Sequence, residues 1–249
     1  MILRILHFLY QWLIFVPLFL GITILTAIST MLGCTLGSDR IFAYYPGMLW
    51  SRLTCLLALS PVRVKGREQI TPDNSYVVMA NHQSAFDIFL IYGHLGLLIR
   101  WVMKGSLRSI PLVGRACEAA GFIFVDEHSR RGAIRAVEET ERCIRTRGGS
   151  IMIFPEAERT LTGRLNRFKR GGFQMAIDLQ LPILPITLNG PYEVLKRGRS
   201  DLHPHRMELV IHEPISTAGL TADNIPALMA ETRQTIHAAL WSSHQDAQQ

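Results

Sequence analysis

The sequence predicts an α/β domain with a mostly parallel central sheet and helices on both of its faces, preceded by an N-terminal membrane-associated helical hairpin or helix pair. Two observations lead to this fold class. After residue 60, short β-branched and apolar runs alternate with helical patterns, which is typical of parallel sheets. Residues 5–38, in contrast, contain no Lys, Arg, Asp or Glu. We therefore expect membrane-associated helices over residues 1–60 and one α/β domain over residues 61–249.

The first apolar segment is long enough to cross a bilayer. Residues 5–32 exceed the roughly 20 residues that a spanning helix needs, and they also exceed the roughly 7 to 15 apolar residues of a cleaved signal peptide. A second apolar segment, residues 41–60, carries Tyr44, Tyr45 and Trp50, which suit a membrane–water interface. We expect this segment to be an interfacial helix, the second arm of a hairpin in one leaflet, or a buried helix of the globular domain.

The elements of the α/β domain follow from hydrophobic periodicity and turn residues. Strands are expected over residues 62–66, 75–80, 97–104, 121–126, 150–154, 181–190 and 206–215. Helices are expected over residues 88–98, 130–149, 171–180 and 225–241. Gly148 and Gly149 end the second of these helices, because glycine adopts the left-handed conformation that closes a helix.

Composition narrows the classes of partner. The net charge of +6 and the pI of about 9.4 favour anionic partners such as membrane surfaces, phosphorylated substrates or acidic carrier proteins. We expect no nucleic acid partner, since the sequence has no basic face interleaved with aromatic residues. The cysteines lack the spacing of a zinc site or a disulfide framework, which predicts reduced thiols in a protein facing the cytoplasm. They are Cys34, Cys55, Cys117 and Cys143.

A polar segment, NHQSAFD at residues 81–87, separates a predicted buried strand from an apolar helix. Ser84 and Asp87 have the spacing of a capping box, with Ser84 at the N-cap. His82 would then lie in the loop and meet the Asp87 carboxylate, which would fix the imidazole tautomer so that the other nitrogen accepts a proton. The pair is two-thirds of a Ser-His-Asp triad, and a bound alcohol could supply the missing hydroxyl, which indicates a transferase. The alternative is that both residues are ordinary capping residues.

A second charged segment, FPEAERT at residues 154–160, follows the predicted strand at 150–154. Side chains at the carboxyl end of a strand bind ligands in open α/β sheets, and the planar guanidinium of Arg159 suits a phosphate or a carboxylate. The alternative is a surface ion pair between Arg159 and Glu156 or Glu158. A basic loop follows, which could face anionic lipid headgroups, donor phosphates or an acidic carrier, or could be merely solvated. Its cations are Arg164, Arg167, Lys169 and Arg170.

In this order, the segments resemble the four sequence blocks of the 1-acylglycerol-3-phosphate acyltransferase (lysophosphatidic acid acyltransferase) family of glycerolipid acyltransferases. NHQSAFD matches the NHxxxxD block in full, and GFIFVDE at residues 121–127 matches G-x-x-F-I-D-R apart from its last residue. FPEAERT keeps four residues of F-P-E-G-T-R-S, and LPILP at residues 181–185 is close to V-P-[IV]-x-P. A K-x-x-L-x-x-x-P-x-x-G run, common in the family, begins at Lys104.

The resemblance implies an O-acyltransferase that moves a fatty acyl group from acyl-CoA or acyl-carrier protein to the free hydroxyl of 1-acylglycerol-3-phosphate, giving phosphatidic acid. His82 would be the general base, Asp87 its orienting partner, and Lys104 and Asn81 would support the oxyanion. The residues expected to bind substrate are Glu156, Arg159, Gly121, Phe154, Pro155 and Arg130. No metal and no cofactor beyond the acyl donor is implied. Membrane lipids are expected partners, at the inner (cytoplasmic) membrane with the catalytic domain facing the cytoplasm.

Two departures from the family pattern bear on the acceptor. Glu127 stands where the family has Arg, and Ala157 and Glu158 replace Gly and Thr in the third block. Both changes make the expected pocket less cationic, although Arg130 or Arg131 could compensate for Glu127. Another lysolipid acceptor, such as a lyso-ornithine lipid or another lysophospholipid, therefore stays open, as does a catalytically silent lipid-binding protein of the same fold.

Overall fold

The computed structural model describes residues 2–71, 73–125 and 130–245. The strands are β1 (Val62–Lys65), β2 (Val77–Ala80), β3 (Ile99–Lys104), β4 (Ile123–Val125), β5 (Ser150–Ile153), β6 (Ile183–Asn189) and β7 (Met207–Ile211). Within the described residues, these seven strands form one sheet in the order β1-β7-β6-β2-β5-β3-β4.

The centre of the sheet is parallel, and this alignment brings the charged segments together. β2 lies between β5 and β6, with Val77 opposite both Ile151 and Ile183. Only the pairing of β6 with β7 is antiparallel among the described strands. Because β5, β2 and β6 are parallel neighbours, their carboxyl ends meet at one edge of the sheet, where α/β folds place their ligand sites. The segments NHQSAFD and FPEAERT both leave this edge.

Helices cover both faces of the sheet. They are α1 (Ile2–Tyr10), α2 (Val16–Thr35), α3 (Asp39–Phe42), α4 (Tyr45–Leu57), α5 (Phe86–His94), α6 (Val113–Ala119), α7 (Arg130–Arg147), α8 (Arg170–Asp178), α9 (Pro191–Val194) and α10 (Ile225–Ala238). Successive residues of a strand point to opposite faces, so Val78 packs in the core formed with α5, while Val77 packs with Phe173 of α8 and Leu228 of α10. The predicted α/β fold class is confirmed.

Residues 2–35 form one long helical segment, in which α1, a π-helical turn (Gln11–Phe15) and α2 follow one another directly. The span Ile5–Thr35 has a mean hydropathy of 2.2, and by length and composition it could cross a membrane. One side packs on the domain, where the ring of Phe19 meets the ring of Phe89 edge-on at 5.8 Å. The other side is apolar and exposed, and Leu13 is 69% exposed. The helix therefore has a protein-facing side and an exposed apolar side.

Helix α4 combines features of two of the expected arrangements. Gly47 and Ser51 are buried, and a Cβ at Gly47 would lie 2.2 Å from the ring of Tyr92 on α5, so the two helices approach closely. Leu49 and Leu56 on its other side are 55% and 70% exposed. α4 is thus a packed helix of the domain that also extends the exposed apolar surface of α2.

Three short helices, α3, α6 and α9, and the direction of two strands were not predicted, since β1 is parallel to β7 and both run against the rest of the sheet. α6 and α9 have seven and four residues, which is too short to show the two-turn apolar period by which helices are predicted. β7 runs antiparallel to β6, and its alternating pattern of buried residues carries no information on direction. Every predicted strand is present, with ends that differ by up to four residues.

Candidate active site

His82 and Asp87 are brought together by the turn between β2 and α5. The loop at residues 81–85, here called the His82 loop, reverses the chain so that His82 Nδ1 lies 2.8 Å from Asp87 Oδ2. The Asp87 side chain is fully buried, whereas the His82 side chain is 16% exposed. No described residue hydrogen-bonds to His82 Nε2, which therefore remains available to an outside group. The predicted pairing of the imidazole with the carboxylate is confirmed.

The loop differs from the predicted capping box in one respect. Asp87 Oδ2 accepts the backbone N–H groups of Gln83 and Ser84 at 2.6 and 2.9 Å, as a residue reaching back to the N-cap would. Ser84 Oγ, however, accepts from the N–H of Phe86 at 3.2 Å rather than from Asp87, and it donates to the Leu195 carbonyl at 2.6 Å. The residue before the helix is Ala85. The Asp87 carboxylate therefore both orients His82 and fixes the backbone beside it.

Phe154, which directly follows β5, packs against one face of the His82 imidazole. Its ring is stacked on the ring of His82, with centroids 3.8 Å apart and planes 11° from parallel. The ring of Trp101 from β3 lies 5.9 Å behind it. Stacking fixes the plane of the imidazole, so the Asp87 bond and Phe154 together leave His82 little freedom. The prediction placed Phe154 among substrate contacts, whereas the structure places it against the predicted base.

Glu156 ties the His82 loop to the segment that follows β5. Its side chain is buried, and Oε1 accepts the backbone N–H of His82 at 2.7 Å while Oε2 accepts that of Asn166 at 2.8 Å. Burial raises the pKa of this carboxyl to about 7, and the two N–H donors oppose that shift because they favour the ionised form. Both carboxylate oxygens thus accept backbone N–H groups of the protein, and the predicted contact of Glu156 with substrate stays a prediction.

Arg159 has no carboxylate partner among the described residues. Glu158 instead pairs with Arg197, whose Nη1 and Nη2 both lie 3.1 Å from Glu158 Oε2. Arg197 Nη1 also donates to the backbone carbonyl of Arg159 at 2.7 Å. The alternative of an ion pair between Arg159 and Glu156 or Glu158 is therefore wrong. Arg197 was missed by the sequence analysis because it lies far along the chain in a loop without a motif.

The basic loop is exposed and fastened at its two ends. Asn166 is held by Glu156, and the N–H of Lys169 donates to the Pro155 carbonyl at 2.8 Å. This backbone contact accounts for Pro155, whose predicted substrate contact is not tested by the structure. The cations of the loop, which form no ion pair within the described part of the chain, are Arg164, Arg167, Lys169 and Arg170.

Asn81 and Lys104 have different positions relative to the expected oxyanion. The Asn81 amide donates to the Leu188 carbonyl at 2.9 Å and accepts the Leu188 N–H at 2.8 Å, so it bridges the His82 loop to β6 and is fully buried. This supports a structural role for Asn81 and not a role as oxyanion donor. Lys104 ends β3 at the same edge of the sheet, two strands from β2, and its side chain is exposed.

Gly121 lies away from this edge. It precedes β4, whereas His82 follows β2, and since the strands are parallel these positions lie at opposite ends of the sheet. Its φ of +73° requires glycine in the turn, and an added Cβ would lie 3.2 Å from Arg147 Nη1. The predicted substrate contact of Gly121 is not supported. The side chain of Arg130 and all of Glu127 lie outside the described part of the structure.

Comparisons with known proteins agree with this geometry. A family model described as Acyltransferase matches residues 61–189. The 1-acyl-sn-glycerol-3-phosphate acyltransferase alpha of Mus musculus is 33% identical over 176 residues, covering 70% of this chain and 62% of that protein. The Homo sapiens protein of the same name is 30% identical over 175 residues, with 70% and 62% covered. The chain thus spans less than two thirds of the length of these relatives.

A solved structure covers nearly the whole chain. It is the crystal structure of the 1-acyl-sn-glycerophosphate (LPA) acyltransferase PlsC from Thermotoga maritima, with a TM-score of 0.77, 26% identity, and coverage of 97% of this chain and 98% of that one. The family model spans more than half of the chain and contains His82, Asp87, Glu156 and Arg159. The chain therefore belongs to the acyltransferase family, and the relationship to the 1-acylglycerol-3-phosphate acyltransferases that its sequence blocks indicate is confirmed.

Proposed function

We propose that the protein is an O-acyltransferase that moves a fatty acyl group from an acyl thioester, acyl-CoA or acyl-carrier protein, to the free hydroxyl of 1-acylglycerol-3-phosphate. The product is phosphatidic acid, an intermediate of phospholipid synthesis. The observation that carries the proposal is the His82–Asp87 pair, joined at 2.8 Å at the same sheet edge as Arg159, whose guanidinium pairs with no carboxylate of the described residues. The names of the relatives support the choice of acceptor.

In the proposed reaction, His82 acts as the general base. Asp87 holds Nδ1, so the free Nε2 takes the proton of the acceptor hydroxyl as that oxygen attacks the thioester carbonyl. The buried carboxylate stabilises the imidazolium that forms. The tetrahedral intermediate then collapses, the C–S bond breaks, and His82 returns its proton to the thiolate that leaves. No covalent bond to the protein is needed, because the acceptor itself supplies the nucleophile that a serine supplies in a triad.

Arg159 is proposed to bind the phosphate of the acceptor. Its guanidinium lies on the segment that Glu156 fastens to His82, so phosphate and hydroxyl would be held on one rigid unit. The pairing of Glu158 with Arg197 removes one of the two reasons to doubt a phosphorylated acceptor, since Glu158 does not neutralise Arg159. Lys104 is proposed to stabilise the oxyanion of the tetrahedral intermediate from the end of β3.

The exposed apolar side of the first helix is proposed to bind the inner membrane, with the α/β domain in the cytoplasm. Contacts run along the helix, from His7 against the carbonyl of Leu202 to Gly33 against the ring of Phe42. A helix bound along its length to the domain presents its apolar side to lipid while remaining part of the fold. This arrangement favours insertion into one leaflet, with the active site near the lipid surface.

The test is transfer of a labelled acyl chain by the purified protein in detergent micelles. Acyl-CoA would be offered with lysophosphatidate, lysophosphatidylcholine or a lyso-ornithine lipid, and we expect time-dependent product with lysophosphatidate in preference to the others. His82→Ala should lower kcat by about 10² to 10⁴-fold, the usual contribution of a general base. The matched control is Gln234→Ala, at an exposed polar side chain on α10, which should retain activity.

Three outcomes would contradict the proposal. Near-normal turnover by a folded His82→Ala variant would show that His82 is not the base. Preference for another lysolipid would overturn the choice of acceptor. Absence of product with every lysolipid, and with either acyl-CoA or acyl-carrier protein as donor, would favour a catalytically silent lipid-binding protein.

A further inference from the structure

The buried side-chain amide of Gln11 connects the first helix to the α/β domain. Gln11 lies in the π-helical turn and is 5% exposed, although the helix around it is apolar. Its Nε2 donates to the Ser200 carbonyl at 2.6 Å, and its Oε1 accepts the N–H of Leu202 at 3.0 Å. His7, one turn earlier, lies with Nε2 2.6 Å from the Leu202 carbonyl. All three contacts reach one loop, residues 195–206, here called the α9–β7 loop.

The other end of the α9–β7 loop contacts both segments of the active site. Arg197 donates to the carbonyl of Arg159 and pairs with Glu158. The carbonyl of Leu195 accepts the hydroxyl of Ser84 in the His82 loop at 2.6 Å. The N–H of His203 donates to the Val194 carbonyl at 2.9 Å and closes the base of the loop. The first helix therefore contacts one side of the α9–β7 loop, and the FPEAERT segment that carries Arg159 contacts the other side.

We propose that Gln11 is a positioning residue for acceptor binding, acting through the α9–β7 loop and Arg197 on Arg159. The proposal rests on the proposed function, in which Arg159 binds the acceptor phosphate. Residues 195–206 contain no helix or strand, so side-chain contacts decide where Arg197 stands. Because the Gln11 amide engages the loop by both its donor and its acceptor, it fixes the loop in one register against the helix. The helix then shapes the acceptor site in addition to holding the protein on lipid.

The alternative is that Gln11 only satisfies two backbone groups beneath a membrane anchor. The two interpretations differ in a kinetic measurement. An anchor alters activity only where substrate must be reached at a membrane, whereas a positioning residue alters the affinity for a dissolved acceptor. A π-helical turn interrupts the regular ladder of a helix and is frequent at functional sites, and here it carries the one side chain that reaches from the helix to both Ser200 and Leu202.

The experiment uses the full chain in detergent micelles with 1-hexanoyl-glycerol-3-phosphate, a short-chain acceptor, below its micelle-forming concentration. Gln11→Leu should raise the acceptor KM by about tenfold, the effect of losing one well-formed hydrogen-bonded contact, with kcat within twofold of the parent. Leu13→Ala is the matched control, because Leu13 lies two residues away and is 69% exposed on the apolar side. It should leave the acceptor KM unchanged and weaken binding to phospholipid vesicles.

A second variant, at Arg197, tests the same connection from the side of the active site. Arg197→Ala should raise the acceptor KM by a similar factor, and the double variant should be no worse than the poorer single variant, since both break the same connection. Gln11→Met, similar in length without polar atoms, replaces Gln11→Leu if that variant does not fold. An unchanged acceptor KM in the folded Gln11 variant, an equal rise in Leu13→Ala, or effects that multiply in the double variant would overturn the proposal.

Failure of this proposal can be told apart from failure of the proposed function. Arg159→Ala, measured in the same assay, should raise the acceptor KM by more than either Gln11→Leu or Arg197→Ala. If Arg159→Ala leaves the KM unchanged, Arg159 does not bind the phosphate and the proposed acceptor site is wrong. If Arg159→Ala behaves as expected and Gln11→Leu does not, only the role of Gln11 is wrong.

Discussion

Replacing Glu156 with Gln should stabilise the protein relative to the parent as the pH rises through 7, and it should lower the activity. In the native structure each oxygen of this buried carboxylate accepts a backbone N–H, from His82 and from Asn166. Gln keeps the shape and one acceptor but presents an NH₂ group to the second N–H, so one of the two contacts is lost. It also removes a charge that burial disfavours.

The magnitude follows from the pKa of the carboxyl, which burial raises from 4.5 to about 7. The native state therefore binds the proton more tightly than the unfolded chain does. The stability that this group contributes is fully present below pH 4.5 and is lost as the pH rises through 7. This rise of 2.5 units in the pKa corresponds to about 3 kcal/mol in the free energy of unfolding. The Gln side chain does not titrate, so the variant should gain up to about 3 kcal/mol on the parent between pH 4.5 and pH 8.5.

Activity should move in the opposite direction. Above pH 7 the parent holds His82 and Asn166 with an ionised carboxylate, and a hydrogen bond to a charged acceptor is worth about 1.5 to 3 kcal/mol. Loss of one such contact frees either the His82 loop or the segment that carries Arg159. We expect kcat/KM at pH 8.5 to fall by about tenfold or more, since 1.4 kcal/mol corresponds to a factor of ten.

The assay is the free energy of unfolding in detergent, followed by fluorescence against urea at pH 5, 7 and 8.5, for the parent and Glu156→Gln. Glu231→Gln, at an exposed carboxylate on α10, is the control and should follow the parent at every pH. The reasoning is refuted if the difference in free energy between Glu156→Gln and the parent does not change with pH. It is also refuted if the parent gains stability relative to the variant as the pH rises from 5 to 8.5.

Two further predictions concern the surroundings of His82. Asp87→Asn should lower kcat by about 10³ to 10⁴-fold with little change in KM, because the amide no longer stabilises the imidazolium or fixes its tautomer. Single-turnover transfer to lysophosphatidate measures this loss. A loss of less than tenfold would show that the His82–Asp87 pair does not contribute to catalysis. Phe154→Leu should lower kcat by about tenfold, because the ring stacked on His82 is lost, whereas Phe154→Tyr should retain the stack and the activity. A rise in acceptor KM at constant kcat would instead support the substrate contact of Phe154 that was predicted from sequence.

The His82–Asp87 pair could be predicted because its information is local. The two residues lie five positions apart across a strand-to-helix turn, and the apolar runs on both sides fix where that turn falls. The mostly parallel sheet follows from the alternation of strands and helices for the same reason. The segment after β5 meets the segment after β2 because β5 also lies beside β2, and the sequence did not predict this strand order.

The roles within the FPEAERT segment could not be predicted, since they depend on which way each side chain points. Glu156 is buried and accepts two backbone N–H groups, whereas Arg159 is only partly buried, although both were expected to contact substrate. The strand pattern ends at Ile153, and beyond it no periodicity assigns side chains to faces. The stacking of Phe154 on His82 could not be predicted for the same reason. The two residues lie on segments that follow neighbouring strands, and the sequence of neither segment shows that the two segments meet.

Counting charges along the chain could not show which cation Glu158 pairs with. A carboxylate next to Arg159 suggested a weakened phosphate site, but it neutralises only the cation that it reaches in space. Glu158 reaches Arg197, which lies 39 residues further along the chain. Arg197 also donates to the backbone carbonyl of Arg159 while it pairs with Glu158. Among the described residues, Glu158 therefore pairs with Arg197 and leaves Arg159 without a carboxylate partner.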